Sequence, residues 1–270
     1  MRQSPHPLAA VTNLASDAPR PAGEVRVWHK RADRPLRGGG AALGIWIAAR
    51  LLGVVVPWDV IRQTEGTRLL AWEVQRLQAL AAAGEIVPEV VAYDGHELQT
   101  RDLGPTLDHV LSGLADPKVQ LRLMCAASAD LAGFHARGHW HGGAQIRNLT
   151  WDGVRFGRID FEEPLHPALP LATVQAYDVL QLLLSMVRWL HALNDGALAQ
   201  VLHHYAQAQP AQADVLRVQL QAWLPRLQGL RRLLGWRPRW RRSREYQRLS
   251  VVVEALEGFV ERKSHDPTPA

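Results

Sequence analysis

Apolar and polar residues alternate with a period of two near the start of the chain and with helical spacing further on. Residues 24–31 (EVRVWHKR) alternate one by one, which is typical of a β-strand. Residues 67–83 repeat apolar positions every three or four residues, which predicts a helix that ends at Gly84. Residues 87–104 predict two short strands around an Asp94–Gly95 turn. The first part of the chain is therefore expected to mix strands and helix.

Beyond Gly104 helical spacing dominates. Residues 117–137 form one predicted helix, and Asp152–Gly153 forms the turn of a second predicted hairpin. Further helical stretches follow at 173–193, 196–207, 211–235 and 243–262. We therefore predict an α+β protein of two lobes. A small mixed lobe (23–103) and a larger helical lobe (104–262) are expected between tails at 1–22 and 263–270.

Composition narrows the class of protein. Hydrophobic residues make up 47% of the chain, which is enough for a substantial core. The single cysteine, Cys125, excludes an internal disulfide framework, and its apolar neighbours predict a buried thiol. The tail 1–22 is rich in Pro and Ala, which predicts disorder, and it lacks the pattern of a secretory signal. Segment 41–57 is apolar but carries Arg50, so we expect a packed or interfacial segment and a cytoplasmic protein.

Positive charge is concentrated late in the chain. The net charge is +5, and residues 225–248 hold nine arginines and one acidic residue. With Trp236 and Trp240, these arginines suit phosphates on nucleic acid, anionic lipid or a phosphorylated sugar. The other interpretation is a solvated helical face followed by a turn at Pro238. Contact with the inner-membrane surface is one expectation for this segment, and no specific nucleic-acid partner is predicted.

Two motifs carry candidate chemistry. The sequence HGGAQIRN (141–148) precedes the second predicted hairpin, and IDFEEP (159–164) follows it. In this order and separation they resemble the catalytic loop and the metal-binding loop of the protein-kinase-like superfamily. The resemblance covers roughly residues 24–200. The bacterial lipopolysaccharide-core (Kdo and heptose) kinases and the aminoglycoside phosphotransferases are the branches that the chain resembles most.

This resemblance implies a site for ATP and Mg²⁺ between the lobes. Asn148 would give its amide oxygen to one Mg²⁺, and Asp160 would bridge the metal and the phosphates. The hairpin between these residues should bring them together in space.

The resemblance also implies a lysine and a glutamate in the small lobe. Lys30 is the implied nucleotide-contacting cation, because the other two lysines fall in the larger lobe and the tail. Glu73, on the following helix, is its implied partner. Arg31 is the alternative cation. A departure from the family is that the glycine-rich run at 38–44 follows Lys30 instead of preceding it.

A graver departure is Gly143, which stands where the family has the aspartate that accepts the proton of the substrate hydroxyl. Gln145 falls where related phosphotransferases carry His or Lys. It could orient a hydroxyl or the γ-phosphate, but an amide cannot take a proton. Glu162 and Glu163, and a nearby histidine, are candidate substitutes. Gly143 itself is expected to have a positive φ.

Two further residues are implied to support the loop. His141 would bond to backbone near the metal loop, in preference to acting as a base. Asp178 lies in an apolar helical stretch, where a buried carboxylate needs partners. The resemblance implies that it holds the backbone of the catalytic loop, and the alternative is an exposed Asp.

Two functions of different classes follow. The first is an ATP-dependent, kinase-type phosphotransferase that moves the γ-phosphate to a hydroxyl, on a lipopolysaccharide or other envelope sugar. The second is a nucleotide-binding pseudokinase, a non-catalytic regulatory or scaffold protein. Gly143 favours the second function, whereas the implied nucleotide-site residues favour retained binding of ATP and Mg²⁺.

Overall fold

The computed structural model describes residues 26–32, 42–43, 46, 49–50, 53–58, 61, 65–163, 165, 169–190 and 196–262. The predicted tails, 1–22 and 263–270, and the end of the predicted helix at 191–193 lie outside these residues.

A three-stranded antiparallel sheet and one long helix form the first part of the fold. The strands are β1 (Val27–Arg31), β2 (Val90–Tyr93) and β3 (Glu97–Arg101), in the order β1-β3-β2. Helix α1 (Gly66–Ala82) packs on β2 and β3 through the predicted apolar face, and the buried residues are Leu69, Leu70, Glu73, Val74, Leu77 and Leu80. The helix and both strands of the first hairpin are therefore confirmed.

The hairpin turn depends on Asp94. Its Oδ1 accepts hydrogen bonds from the backbone N–H groups of His96 (2.8 Å) and Glu97 (2.7 Å), and Gly95 has a φ of 95°. Aspartate side chains favour such turns because they bond to backbone two or three residues on. Strand β3, which follows this turn, also pairs with β1 in a register that places Lys30 opposite Leu98.

The second part is helical around a small hairpin. It contains α2 (Leu107–Gly113), α3 (Pro117–Ala136), β4 (Leu149–Trp151), β5 (Phe156–Arg158), α4 (Leu171–Met186), α5 (Ala197–Ala208), α6 (Pro210–Gly235), a short turn at Pro238–Arg241, and α7 (Arg244–Glu261). Side-chain caps begin three of these helices: Thr106, Asp116 and Ser243 each accept a hydrogen bond from a backbone N–H of the first turn. The α+β class predicted from the sequence is confirmed.

One large apolar core runs through both parts of the fold. It joins α1 and β3 to the buried faces of the later helices, for example through Leu77, Leu98, Phe134, Leu183 and Phe259. Cys125 belongs to this core, and burial raises the pKa of its thiol to about 11. The prediction of a buried thiol is therefore confirmed.

A smaller apolar cluster includes part of segment 41–57. Ala42 and Val56 are buried there together with Ile61, Trp140 and Val174. These residues of the segment are packed, as the sequence analysis expected. Within the part of the chain that the structure describes, no helix has both the length and the apolar character needed to cross a bilayer.

Candidate functional site

Lys30 lies at the centre of a cluster of carboxylates. From β1 its Nζ donates hydrogen bonds to Oε2 of Glu73 on α1 (2.9 Å) and to Oδ1 of Asp160 in the segment after β5 (2.8 Å). Glu162 forms a third ion pair with the same nitrogen. The predicted approach of Lys30 and Glu73 is confirmed, and three separate elements converge on one ammonium group.

These charged groups shift one another's pKa. Burial opposes the charge on Lys30, but the carboxylates of Glu73, Asp160 and Glu162 together raise its pKa. Burial raises the pKa of Glu73 and Glu162 despite the ammonium nearby. At Asp160 burial acts in the same direction, but the pKa is lowered because Lys30 stabilises the carboxylate. Three acids facing one base give this site an excess of negative charge when all are ionised, which favours the approach of a cation.

Arg31, the alternative cation, forms its ion pair away from this cluster. Its Nε donates to Glu97 of β3 at 3.0 Å, and 71% of its side chain is exposed. Successive side chains of a strand point to opposite faces, so only one of these two neighbours can face α1. That residue is Lys30.

Asn148 and Asp160 are brought together by the β4–β5 hairpin. The hairpin turn is held by Asp152, whose Oδ1 accepts from the N–H groups of Val154 and Arg155. At the open end, the N–H of Ile159 donates to the carbonyl of Asn148 at 3.0 Å. The predicted juxtaposition is confirmed at the level of the backbone.

The side chain of Asn148 is buried and oriented. Its Nδ2 donates to the carbonyl of Gly143 at 2.9 Å. This bond uses the amide nitrogen, so the amide oxygen is the atom that could bind a metal. Asp160 has a φ of 70°, which non-glycine residues seldom adopt. Such outliers cluster at functional sites.

His141 is a structural residue in this loop. Its Nε2 donates to the carbonyl of Ile159 at 3.0 Å, and its Nδ1 accepts from the N–H of Gly143 at 3.2 Å. Burial lowers the pKa of His141 to about 4, and this pattern of one donor and one acceptor requires the neutral ring. The ring also stacks on Phe161, with centroids 4.4 Å apart. The predicted bond from His141 to the backbone of the 159–164 motif is confirmed.

Asp178 of α4 holds the start of the same loop. It accepts hydrogen bonds from the N–H groups of His141 (2.6 Å) and Gly142 (2.7 Å), and its side chain is fully buried. The predicted support of the loop backbone is confirmed. His135, which the sequence analysis did not single out, adds a third bond from its Nε2 at 3.3 Å.

The two glycines of the loop differ in conformation. Gly142 has a φ of 90°, whereas Gly143 does not have a positive φ, so the expectation for Gly143 was wrong. A Cβ placed on Gly143 would lie 3.6 Å from Nδ2 of Asn148, 3.9 Å from Nδ1 of His141 and 4.0 Å from Cγ of Glu163. These are ordinary van der Waals contacts, so there is room for a Cβ at this position.

Gln145 bonds to α4. Its Nε2 donates to Oε1 of Gln181 at 3.3 Å. Among the described residues no hydrogen bond joins Gln145 to the carboxylates around Lys30.

Arg76 is a supporting residue that the sequence analysis missed. From α1 it donates to the carbonyl of Trp140 at 2.7 Å, and its guanidinium lies over the rings of Trp140 (4.3 Å) and Phe161 (5.9 Å). It thus joins α1 to the segments on both sides of the hairpin. The available signal was its position three residues after Glu73, which is near the same helix face.

The donor set fits Mg²⁺ bound together with phosphate. Among the described residues, no group of three or more His, Cys, Asp or Glu side chains is arranged to hold a metal ion by itself. Mg²⁺ typically takes one or two protein oxygens and completes its shell with phosphate and water. The carboxylate of Asp160 and the amide oxygen of Asn148 meet that requirement. The sequence matches no protein-family model and no curated protein.

Proposed function

We propose that the protein is a kinase-type phosphotransferase of a two-lobed, protein-kinase-like fold, which moves the γ-phosphate of ATP to a hydroxyl group. The acceptor we propose is a sugar of lipopolysaccharide or of another envelope glycan. The observation that carries the proposal is the convergence of Lys30, Glu73 and Asp160, of which the first and last are 130 residues apart in sequence. A salt bridge that only stabilises the fold needs one lysine and one acid. It does not require a lysine with three acidic neighbours, placed beside a hairpin that carries a buried Asn.

Each residue of the cluster has a role in binding triphosphate. Lys30, oriented by Glu73, would contact the phosphates of ATP. Asn148 and Asp160 would hold Mg²⁺, which when bound neutralises charge on the transferred group. The excess negative charge of the carboxylates would then be balanced by the metal. Asp178, His141 and Arg76 position this machinery through the loop backbone.

The proton of the acceptor hydroxyl needs a base, and we assign that role to Glu163. His141 is unsuited because both ring nitrogens are engaged and its pKa is lowered to about 4. Gln145 cannot take a proton. Of the three atoms nearest to a Cβ placed on Gly143, one belongs to Glu163. It is the only one of the three whose side chain carries a carboxylate. The hydroxyl proton passes to its carboxylate, the hydroxyl oxygen bonds to the γ-phosphorus, and the bond from that phosphorus to ADP breaks.

A second function is favoured by Gly143 itself. A chain without a carboxylate at this position could bind ATP and Mg²⁺ as a pseudokinase and act as a regulatory or scaffold protein. A positioned base contributes roughly 10²–10⁴-fold to a proton transfer. The two proposals therefore differ in turnover but agree on nucleotide binding.

Both proposals are tested with purified protein, γ-labelled ATP, Mg²⁺ and envelope extract. We expect a labelled product, no product with Asp160→Asn, and roughly 10²-fold or more slower labelling with Glu163→Gln. Glu89→Gln is the matched control, because it removes an exposed carboxylate that pairs with Arg101 on the surface.

Thermal melting separates the outcomes. A ligand that binds the native state alone must stabilise it, so ATP with Mg²⁺ should raise the melting temperature of the wild type and much less that of Asp160→Asn. Stabilisation without a labelled product supports the pseudokinase. No stabilisation at millimolar nucleotide contradicts both functions, and full labelling by Glu163→Gln overturns the assignment of the base.

A further inference from the structure

A cavity lies where the end of α6 meets the turn at Pro238–Arg241 and α7. Its volume is about 450 Å³. Three arginines and two aromatic residues are prominent in its lining, which consists of Arg231, Arg232, Gly235, Trp236, Arg241, Tyr246, Ser250 and Glu254. These residues come from three consecutive elements, so the cavity depends on the packing of α6 against α7.

The arginines of this cavity differ in whether an acidic side chain pairs with them. Arg231 is paired with Glu254 (3.4 Å) and Glu257 (3.6 Å). No carboxylate of the described residues forms an ion pair with Arg232 or Arg241. The cavity therefore retains positive charge, which suits an anionic ligand.

One guanidinium of the cavity is held in a fixed orientation. Nε of Arg241 donates to the carbonyl of Gly235 at 2.5 Å, which fixes the guanidinium while its remaining N–H groups stay available. Guanidinium groups of fixed orientation suit the paired oxygens of a phosphate.

An apolar pair lies at the edge of the cavity. Leu233 is 61% exposed and Trp236 is 76% exposed. They are three residues apart at the end of α6 and therefore neighbours on its surface. Exposing these apolar side chains to water is unfavourable, whereas Trp is enriched at the interface between lipid and water. The same stretch, 225–248, carries nine arginines and one acidic residue.

We propose that this face binds the surface of a membrane that contains anionic phospholipid. The lipid phosphate would occupy the cavity beside Arg232 and Arg241, and Leu233 and Trp236 would enter the interface. The combination favours lipid over a soluble phosphate, because a small anion in the cavity would leave both apolar side chains in water. The inference does not depend on phosphoryl transfer, so either can fail without the other.

The test is sedimentation of the full chain with vesicles of phosphatidylcholine, with and without phosphatidylglycerol. Two double variants probe the cavity (Arg232→Gln with Arg241→Gln) and the apolar pair (Leu233→Ser with Trp236→Ser). The charge-matched control is Arg68→Gln with Arg122→Gln, two exposed arginines outside the segment. Thermal melting checks that each variant is folded.

We expect binding to anionic vesicles only, roughly 25-fold weaker for the cavity variant, weaker for the apolar variant, and unchanged for the control. If the control variant weakened vesicle binding equally, the effect would depend on net charge alone, and the proposed site would be overturned. Equal binding to vesicles of phosphatidylcholine alone would overturn the proposed selection of anionic phospholipid. Binding of inorganic phosphate or glycerol 3-phosphate in calorimetry, without binding to either vesicle, would identify a soluble anion as the ligand and overturn the membrane proposal.

Discussion

At the scale of single residues, the Lys30 ammonium group neutralises carboxylates that would otherwise repel one another. Glu73 is the most buried of these acids, at 6% side-chain exposure, while Lys30 is 33% exposed. Removing one partner of a buried ion pair costs more than the pair contributes, because it leaves a charge without compensation. Partial exposure of Lys30 reduces that cost through solvent screening.

Lys30→Met is therefore expected to lower the free energy of unfolding by about 1–3 kcal/mol. Urea denaturation measures the change. The matched variant Arg31→Met, which breaks the exposed pair with Glu97, should cost less than about 1 kcal/mol. Adding Glu73→Gln to Lys30→Met should recover part of the loss. A loss from Lys30→Met no larger than that from Arg31→Met would contradict the central role of Lys30.

The two neighbouring glycines of the loop are expected to differ in how much their substitution lowers the stability of the fold. Gly142→Ala should destabilise the fold by about 1–3 kcal/mol, because φ is 90° and the added Cβ would lie 2.8 Å from Cβ of Glu163. Gly143→Ala should change the free energy of unfolding by less than about 1 kcal/mol, since the atom nearest to the added Cβ is 3.6 Å away. Urea denaturation of both variants checks this contrast.

Gly143→Asp introduces a carboxylate at the position where the motif that the chain resembles has its proton acceptor. If Glu163 leaves room for it, the rate of labelled phosphate transfer should rise, up to about 10²-fold. Loss of activity in the variant of an active parent would indicate that the introduced carboxylate and Glu163 compete for one space. Inactivity of both forms, with ATP still bound, would favour the pseudokinase.

At the scale of elements, α4 fixes the loop through one carboxylate. Asp178 accepts from two backbone N–H groups and from His135, all in a buried environment. Asp178→Ala should cost about 3–5 kcal/mol, because these donors lose their acceptor. Asp116→Ala, which removes an exposed N-cap acceptor of α3, should cost about 1 kcal/mol. Chemical denaturation of the two variants should give clearly different midpoints, and similar midpoints would argue against the role of Asp178.

The contacts of Lys30, His141 and Asp178 were expected from the resemblance of their motifs to the kinase-like loops, and residue chemistry added support for Lys30 and Asp178. The chain has few lysines, and a buried aspartate in an apolar helix needs donors. The bridge formed by Arg76 was not predictable, because it depends on how far apart α1 and the loop pack. The left-handed glycine was misplaced by one residue, since two adjacent glycines give no local signal as to which takes the positive φ.

At the scale of the whole molecule, stability should depend on pH through buried neutral histidines. Burial lowers the pKa of His141 to about 4 and also lowers that of His135, both of which contact Asp178 or its loop. Between about pH 6.5 and 4 the unfolded chain binds more protons than the folded chain. Stability is therefore full above about pH 6.5 and is lost as the pH falls.

His141 alone should account for on the order of 3 kcal/mol of this loss. Urea denaturation at pH 7, 6 and 5 should show a smaller slope for His141→Gln, whose amide nitrogen can replace the Nε2 donor but does not titrate in this range. His203→Gln, at an exposed position on α5, should keep the slope of the wild type. An unchanged slope in His141→Gln would assign the pH dependence to other groups.

The three acids around Lys30 also have a consequence for chemical labelling. The chain has few primary amines, since lysine occurs only at 30, 118 and 263. Acylating reagents attack the unprotonated amine, and the raised pKa of Lys30 makes that form scarce. Lys118 is exposed at the start of α3 and should react before Lys30. The rate at which Lys30 is acylated, measured by peptide mass spectrometry, would then report how often β1, α1 and the segment after β5 separate.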